Sequence, residues 1–297
     1  MWVWLVLLYG ALKGFREVCK KKALLECSSI EVLLIYTVVA FFMVCPDIKN
    51  AMGMEPKYYL LVLLKSFVIF IAWICSFKAI KHLPLSLYGV LDLSRVLFAT
   101  LMGVTIMHET MSAFNIIGLV FVCIGLLMLK YKPTKILNVI NIKGTDVGTQ
   151  SNDNSENVSF IIVVIALLSC MLNAVSALMD KILMQDINSS QLQFWYMLFL
   201  SLMYIIYAMV SHKEVHIKRA LKNKWIWLLS LLFVIADRAL FVANSYEESQ
   251  ITVMTLLKQI GCVVTILAGR YIFKEKNTGY KLFCASVVII GIVLCVK

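Results

Sequence analysis

Ten runs of predominantly apolar residues, most about twenty long and separated by short polar breaks, leave this 297-residue chain few ways to fold. A hydrocarbon layer about 30 Å thick takes roughly 20 apolar residues per helix, and a soluble core has no use for ten such segments. The runs cover approximately 2–20, 30–45, 58–78, 85–106, 113–130, 159–182, 191–211, 225–246, 251–272 and 280–296. Hydrophobic residues make up 61% of the chain, far above the share usual in a soluble domain. No segment alternates apolar and polar residues at period two, as the strands of a membrane barrel would. The first segment has neither a basic start nor a small-residue cleavage site, which argues against a cleaved signal peptide. The expected fold is an all-α integral membrane protein with ten transmembrane helices.

One long polar stretch, YKPTKILNVINIKGTDVGTQSNDNSENVS from Tyr131 to Ser159, is rich in Asn, Ser, Lys and Gly and cannot bury a core of its own. It reads as a linker over 131–158 between a unit at 1–130 and a second at 159–297. The halves match each other. HETMSAFNIIGLVFVCIGLLML at 108–129 aligns with KEKNTGYKLFCASVVIIGIVLCV at 274–296 at an offset of 166, setting Glu109 on Glu275 and Gly125 on Gly291. The same offset sets Asp92 on Lys258, and an offset near 160 sets Lys21 on Lys181 and Tyr36 on Tyr196. With five helices in each, the second unit must enter from the opposite side, so the expectation is two inverted five-helix repeats.

The turn FKAIKHLPLSLYGVL, the acidic short loop MHETMS around Glu109 and the following GLVFVCIGLLML with Gly125, repeated in order at 247–296, resemble the drug/metabolite transporter superfamily, EamA-type branch. The resemblance spans nearly the whole chain. It implies secondary transport through a central cavity lined by helices 1, 3, 4, 6, 8 and 9, without implying a substrate.

The charges single out the same helices independently, because an ionisable side chain at a helix centre costs about 2.5 to 3.5 kcal/mol to insert. Lys13, Arg16 and Glu17 fall in helix 1, Lys65 in helix 3, Asp92 and Arg95 in helix 4, Asp180 and Lys181 in helix 6, Asp237 and Arg238 in helix 8, and Lys258 in helix 9. Polar stripes at helical spacing, such as Tyr88, Asp92 and Arg95, give these helices one wet face. Gly118, Gly125 and Gly291 make helices 5 and 10 packing elements. Asp92 and Arg95 could satisfy each other locally at i,i+3, whereas Asp237 and Arg238 point about 100° apart and must seek partners on other helices. Asp180 and Lys181, close to a helix end, read as solvated. Seven bases against four acids make the expected cavity electropositive, favouring an anionic, carboxylate- or phosphate-bearing solute.

The expected substrate-binding residues are Lys65, Trp73, Tyr88, Arg95, Arg238 and Lys258. Asp92 and Asp237 are the expected coupling or ion-pair residues, and Asp92 and Lys258 are expected to pair across the repeats. The alternative is a zwitterionic or cationic amine, amino acid or drug-like solute stacked on Trp73 and Tyr88. A membrane-embedded enzyme or a non-transporting scaffold is the weaker reading. All four histidines fall at loop edges, the nine cysteines form no Cys-x-x-Cys pair, and no phosphate-binding Gly-x-x-x-x-Gly-Lys loop occurs. No cofactor or metal is expected. The expected partners are a small-molecule substrate and the lipid bilayer, with a homodimer left open and no nucleic acid, in a multi-pass protein of the cell membrane. Loops on the side away from the termini hold 18 Lys and Arg against three on the terminal side. Such a bias normally keeps the basic side in the cytoplasm and would place both termini outside, against the resemblance, most of whose members keep them inside.

Overall fold

A computed structural model describes residues 2–106, 113–130, 160–211, 215–246, 249, 251–275 and 278–296. The regular elements are helical: α1 (Trp2–Glu26), α2 (Ser29–Val44), α3 (Pro56–His82), α4a (Leu85–Asp92), α4b (Arg95–Ile106) and α5 (Ala113–Lys130). They continue with α6 (Phe160–Asp186), α7 (Ser189–Val210), α8 (Lys224–Asn244), α9a (Ile251–Leu257), α9b (Ile260–Tyr271) and α10 (Thr278–Val296). By length and composition, six helical stretches among the described residues can cross a membrane; α4a and α4b count there as one. The linker expected at 131–158 and Glu109 lie outside the described residues.

The distribution of side chains is inverted relative to a water-soluble protein. Lys13, Arg16, Glu17, Lys65, Asp92, Asp180 and Asp237 are buried, while Phe42, Leu60, Leu101, Phe160, Ile206 and Met209 stand on the outside. Charges inside and large apolar groups outside fit a lipid solvent, where the exterior gains nothing from polarity and each charge needs an internal partner.

Local sequence starts the helices. Ser28 caps α2, its hydroxyl accepting from the backbone N–H of Glu31 while the Glu31 carboxylate accepts from that of Ser28. Asn188 and Gln191 form the same box at the start of α7, 160 residues on. Other contacts recur at similar separations. The Ser66 hydroxyl in α3 donates to the Val62 carbonyl and lies 3.5 Å from that of Tyr196 in α7. In α8, Ser230 donates to Ile226 and to the Tyr36 carbonyl of α2. Lys21 reaches across from α1 to cap the end of α3 at the Ile80 and Leu83 carbonyls. Lys181 in α6 does the same at the end of α8, donating to the Asn244 and Tyr246 carbonyls and the Ser249 hydroxyl.

The elements pair as α1 with α8, α3 with α6, α2 with α7, α4a with α9b, and α5 with α10. The α1–α9b crossing is set by glycines: a Cβ on Gly261 would lie 2.7 Å from the Gly10 carbonyl oxygen, and one on Gly14 would lie 2.6 Å from Val264 Cβ. Gly118, Gly125 and Gly291 are buried in α5 and α10.

Two expected helices are interrupted. The run 85–106 breaks at Leu93 and Ser94, and the run 251–272 breaks at Lys258 and Gln259, which are near-equivalent positions at the offset of 166. At both, backbone bonds shorten to three residues: Leu93 and Ser94 bond to Val90 and Leu91, and Gly261 and Cys262 bond to Lys258 and Gln259. Neither break contains a proline or glycine, so composition gave no warning of it.

Candidate functional site

The wet faces of α1, α3, α4, α6, α8 and α9 meet around one internal cavity. Tyr36 of α2 and Tyr196 of α7, the pair aligned at the offset of 160, also line it. About 80 Å³ is open to water-sized molecules, room for several waters or a small solute group.

Lining it are six cations, Lys13, Arg16, Lys20, Lys65, Arg95 and Lys258. Four carboxylates answer them. Asp92, at the end of α4a, accepts from Lys13 of α1 and, at 2.7 Å, from Arg95 at the start of α4b. Asp237 of α8 holds Arg16 of α1 at 3.2 Å, Asp180 of α6 holds Lys65 of α3 at 2.9 Å, and Glu17 holds Lys20 one turn along α1 at 2.9 Å. Such pairing offsets the desolvation of charges that the apolar exterior would otherwise exclude.

Lys258 is different. Among the described residues it makes no hydrogen bond and no ion pair; its ammonium lies 5.6 Å from the centre of the Tyr9 ring. The expected repeat alignment sets this position beside its counterpart. The offset of 166 equates Lys258 with Asp92, and the offset of 160 equates Lys13, the partner of Asp92, with Asn173. Where the first pair of positions holds a lysine on an aspartate, Asn173 and Lys258 line the same cavity, and the Asn173 amide donates to the Ser169 carbonyl at 2.7 Å.

The aromatic wall is already engaged with the protein's own cations. Trp73 packs edge-on to Phe233 at 5.3 Å and lies 5.3 Å from Tyr36. Arg16 lies 4.5 Å over Phe233, Lys20 4.7 Å over Phe77 and Lys65 3.4 Å over Tyr196. The Tyr88 hydroxyl shares a 2.8 Å hydrogen bond with Ser76. Arg16 Nε, Arg95 Nε, Glu17 Oε2 and Asp180 Oδ1 are buried polar atoms at the cavity without a hydrogen-bond partner among the described residues.

The expected site residues thus divide. Lys65, Trp73, Tyr88, Arg95 and Lys258 all line the cavity, with Asp237 among them and Asp92 directly behind, against Gly261 and Cys262. Arg238 does not. It bonds Asp47 after α2 and the hydroxyl of Ser190 at 2.6 Å at the start of α7, which ties the two halves together away from the cavity. Asp237 and Arg238 point to different helices, as adjacent positions must. The expected Asp92–Lys258 pair is replaced by Lys13–Asp92–Arg95, because α1 comes close enough for Lys13 to reach first. Asp180 and Lys181 are buried rather than solvated, one in an ion pair and the other as a helix cap. Lys20 and Tyr9 were missed as lining residues. Lys20 opens a lysine run that reads as a loop, yet α1 continues to Glu26 and turns it inward.

Outside the cavity, Glu275, just before α10, accepts from the backbone N–H groups of Leu85 and Ser86 at 2.5 and 3.1 Å, and so caps α4a. The glutamate of this short loop thereby serves as a cap between the halves, a carboxylate from one seated on the positive helix end of the other.

The model of the EamA-like transporter family matches residues 1–131 and 160–297. A solved structure, described as "Crystal structure of protein", shares the fold with a TM-score of 0.62 at 12% identity, over 97% of this chain and 98% of that one. No curated protein matches the sequence.

Proposed function

The chain belongs to the EamA-like transporter family, and on that premise we propose that it is a secondary active transporter of a small carboxylate- or phosphate-bearing metabolite in the cell membrane. It crosses the bilayer ten times as two inverted five-helix units, 1–130 and 159–297, joined by a linker at 131–158. The recurrent contacts support this: paired capping boxes, the reciprocal bonds of Ser66 and Ser230 to tyrosine carbonyls, the Lys21 and Lys181 caps, and breaks at matching places in α4 and α9. Rocking of one unit against the other exposes the cavity to each side in turn, and the solute binds among Lys65, Trp73, Tyr88, Arg95 and Lys258. Asp92 and Asp237 act as ion-pair residues that keep their cations positioned.

The observation that carries the anion reading is Lys258. Every cavity carboxylate already has a cation in an ion pair, whereas one ammonium, that of Lys258, forms no ion pair among the described residues. The faces of Phe77, Tyr196 and Phe233 carry internal cations, which removes three of the rings a cationic solute would use. Reconstituted protein is expected to exchange a labelled small organic acid, and Lys258→Gln to lose most of that exchange while melting at the same temperature. Transport of amines with no transport of acids would overturn the reading.

A further inference from the structure

We infer that the solute carries two negative charges, held between Arg95 at the break of α4 and Lys258 at the break of α9. The inference rests on the anion reading above and adds the charge count. Six cations and four carboxylates share the cavity region. Three of the carboxylates, Glu17, Asp180 and Asp237, are each matched by one base, while Asp92 is shared by Lys13 and Arg95. The surplus positive charges therefore sit at two places, the Lys13–Asp92–Arg95 cluster and Lys258. Both belong to one wall, because α4a packs against α9b, and Lys258 lies in the electrostatic field of Asp180 and Asp237 as well as of Arg95 and Lys13, without forming an ion pair with either carboxylate. Arg95 also keeps its Nε buried and without a hydrogen-bond partner among the described residues, a donor left over after Asp92 has taken another guanidinium nitrogen.

Walls of low dielectric make two uncompensated charges repel more strongly than they would in water. A monoanion relieves one of them and leaves the other. A dianion, whether a dicarboxylate or a doubly ionised phosphate monoester, relieves both. The small open volume restricts it to a compact solute. Neutralising either base leaves no buried carboxylate alone: Lys258 has no carboxylate partner, and Asp92 retains Lys13 when Arg95 is removed. The count can therefore be changed without breaking the fold.

The test is binding to the full-length protein in nanodiscs, read as thermal stabilisation by butyrate, succinate, glycerol 3-phosphate and choline at pH 7.5. Succinate, glycerol 3-phosphate or both should bind at least about tenfold more tightly than butyrate; which of them does so separates a dicarboxylate site from a phosphate site. In Lys258→Gln and in Arg95→Gln that advantage should fall to within about twofold, with melting of the unliganded protein unchanged. Butyrate binding as well as both dianions would overturn the two-charge inference and leave the anion reading standing. Stabilisation by choline alone would overturn both, and no stabilisation by either dianion would overturn the two-charge inference.

Discussion

Lys65 is the least exposed charged side chain among the described residues, at 1%, and it is held by Asp180 and the Tyr196 ring. Removing one partner of a buried pair leaves the other charge uncompensated, which typically costs about 3 to 5 kcal/mol. Lys65→Met is therefore expected to lower the melting temperature sharply, whereas Lys65→Met combined with Asp180→Leu should recover most of the loss. A double-mutant cycle measures the coupling, and strictly additive losses would show that the pair contributes nothing. Lys258 is the contrasting case. With no partner to orphan, its neutralisation should affect solute binding rather than folding. Two lysines on the same cavity thus have opposite experimental signatures, and the difference lies in what surrounds them.

Among elements, the tightest demand falls on the crossing of α1 and α9b. Gly10, Gly14 and Gly261 bring the two backbones into contact, and an added Cβ at Gly261 would meet carbonyl and amide atoms that cannot rotate away. Gly261→Ala is expected to cost about 1 to 3 kcal/mol through overpacking. Gly279→Ala is the control, since nothing lies within 4 Å of its added carbon and α10 would gain a better helix former. Equal melting temperatures for the two variants would show that the crossing has slack. The crossing also borders the site: Gly261 and Gly14 lie beside Asp92 and Lys13, so a helix displaced here moves the ion pair with it.

At the scale of the molecule, two contacts outside the cavity add to the Arg16–Asp237 and Lys65–Asp180 pairs in joining the halves. The Asp47–Arg238–Ser190 group lies between α2, α7 and α8, and the Glu275 cap lies where α4 begins. The distribution of basic residues between the two sides of the membrane sets the orientation. Even with Lys20 and Lys21 drawn into the protein, the excess on the side away from the termini is large, and such an excess fixes that side in the cytoplasm. Both termini are therefore expected outside. A single cysteine added at residue 1 or 297, in a variant lacking the nine native cysteines, should react with an impermeant thiol reagent on intact cells. Reaction only after permeabilisation would reverse the assignment.

Much of this was legible in one dimension because the bilayer is a harsh solvent. A charge far from the ends of an apolar run is costly unless it faces a wet interior, so the charges well inside the runs picked out α1, α3, α4, α6, α8 and α9 as parts of the cavity wall, which Tyr36 of α2 and Tyr196 of α7 complete. The sequence likewise determined that Asp237 and Arg238 cannot share a partner, since adjacent helical positions diverge. Which partner each charge takes was decided by packing. Lys13 and Asp92 are 79 residues apart, Arg16 and Asp237 are 221, and no local spacing reveals which of several helices approaches first. Arg238 shows the same limit: its depth suggested the cavity, while the direction of its side chain led to Asp47 and Ser190. The breaks in α4 and α9 carry no proline or glycine to announce them and exist only in the folded bundle, as does the isolation of Lys258. An ion pair needs two groups within about 4 Å, and only the tertiary structure fixes that distance.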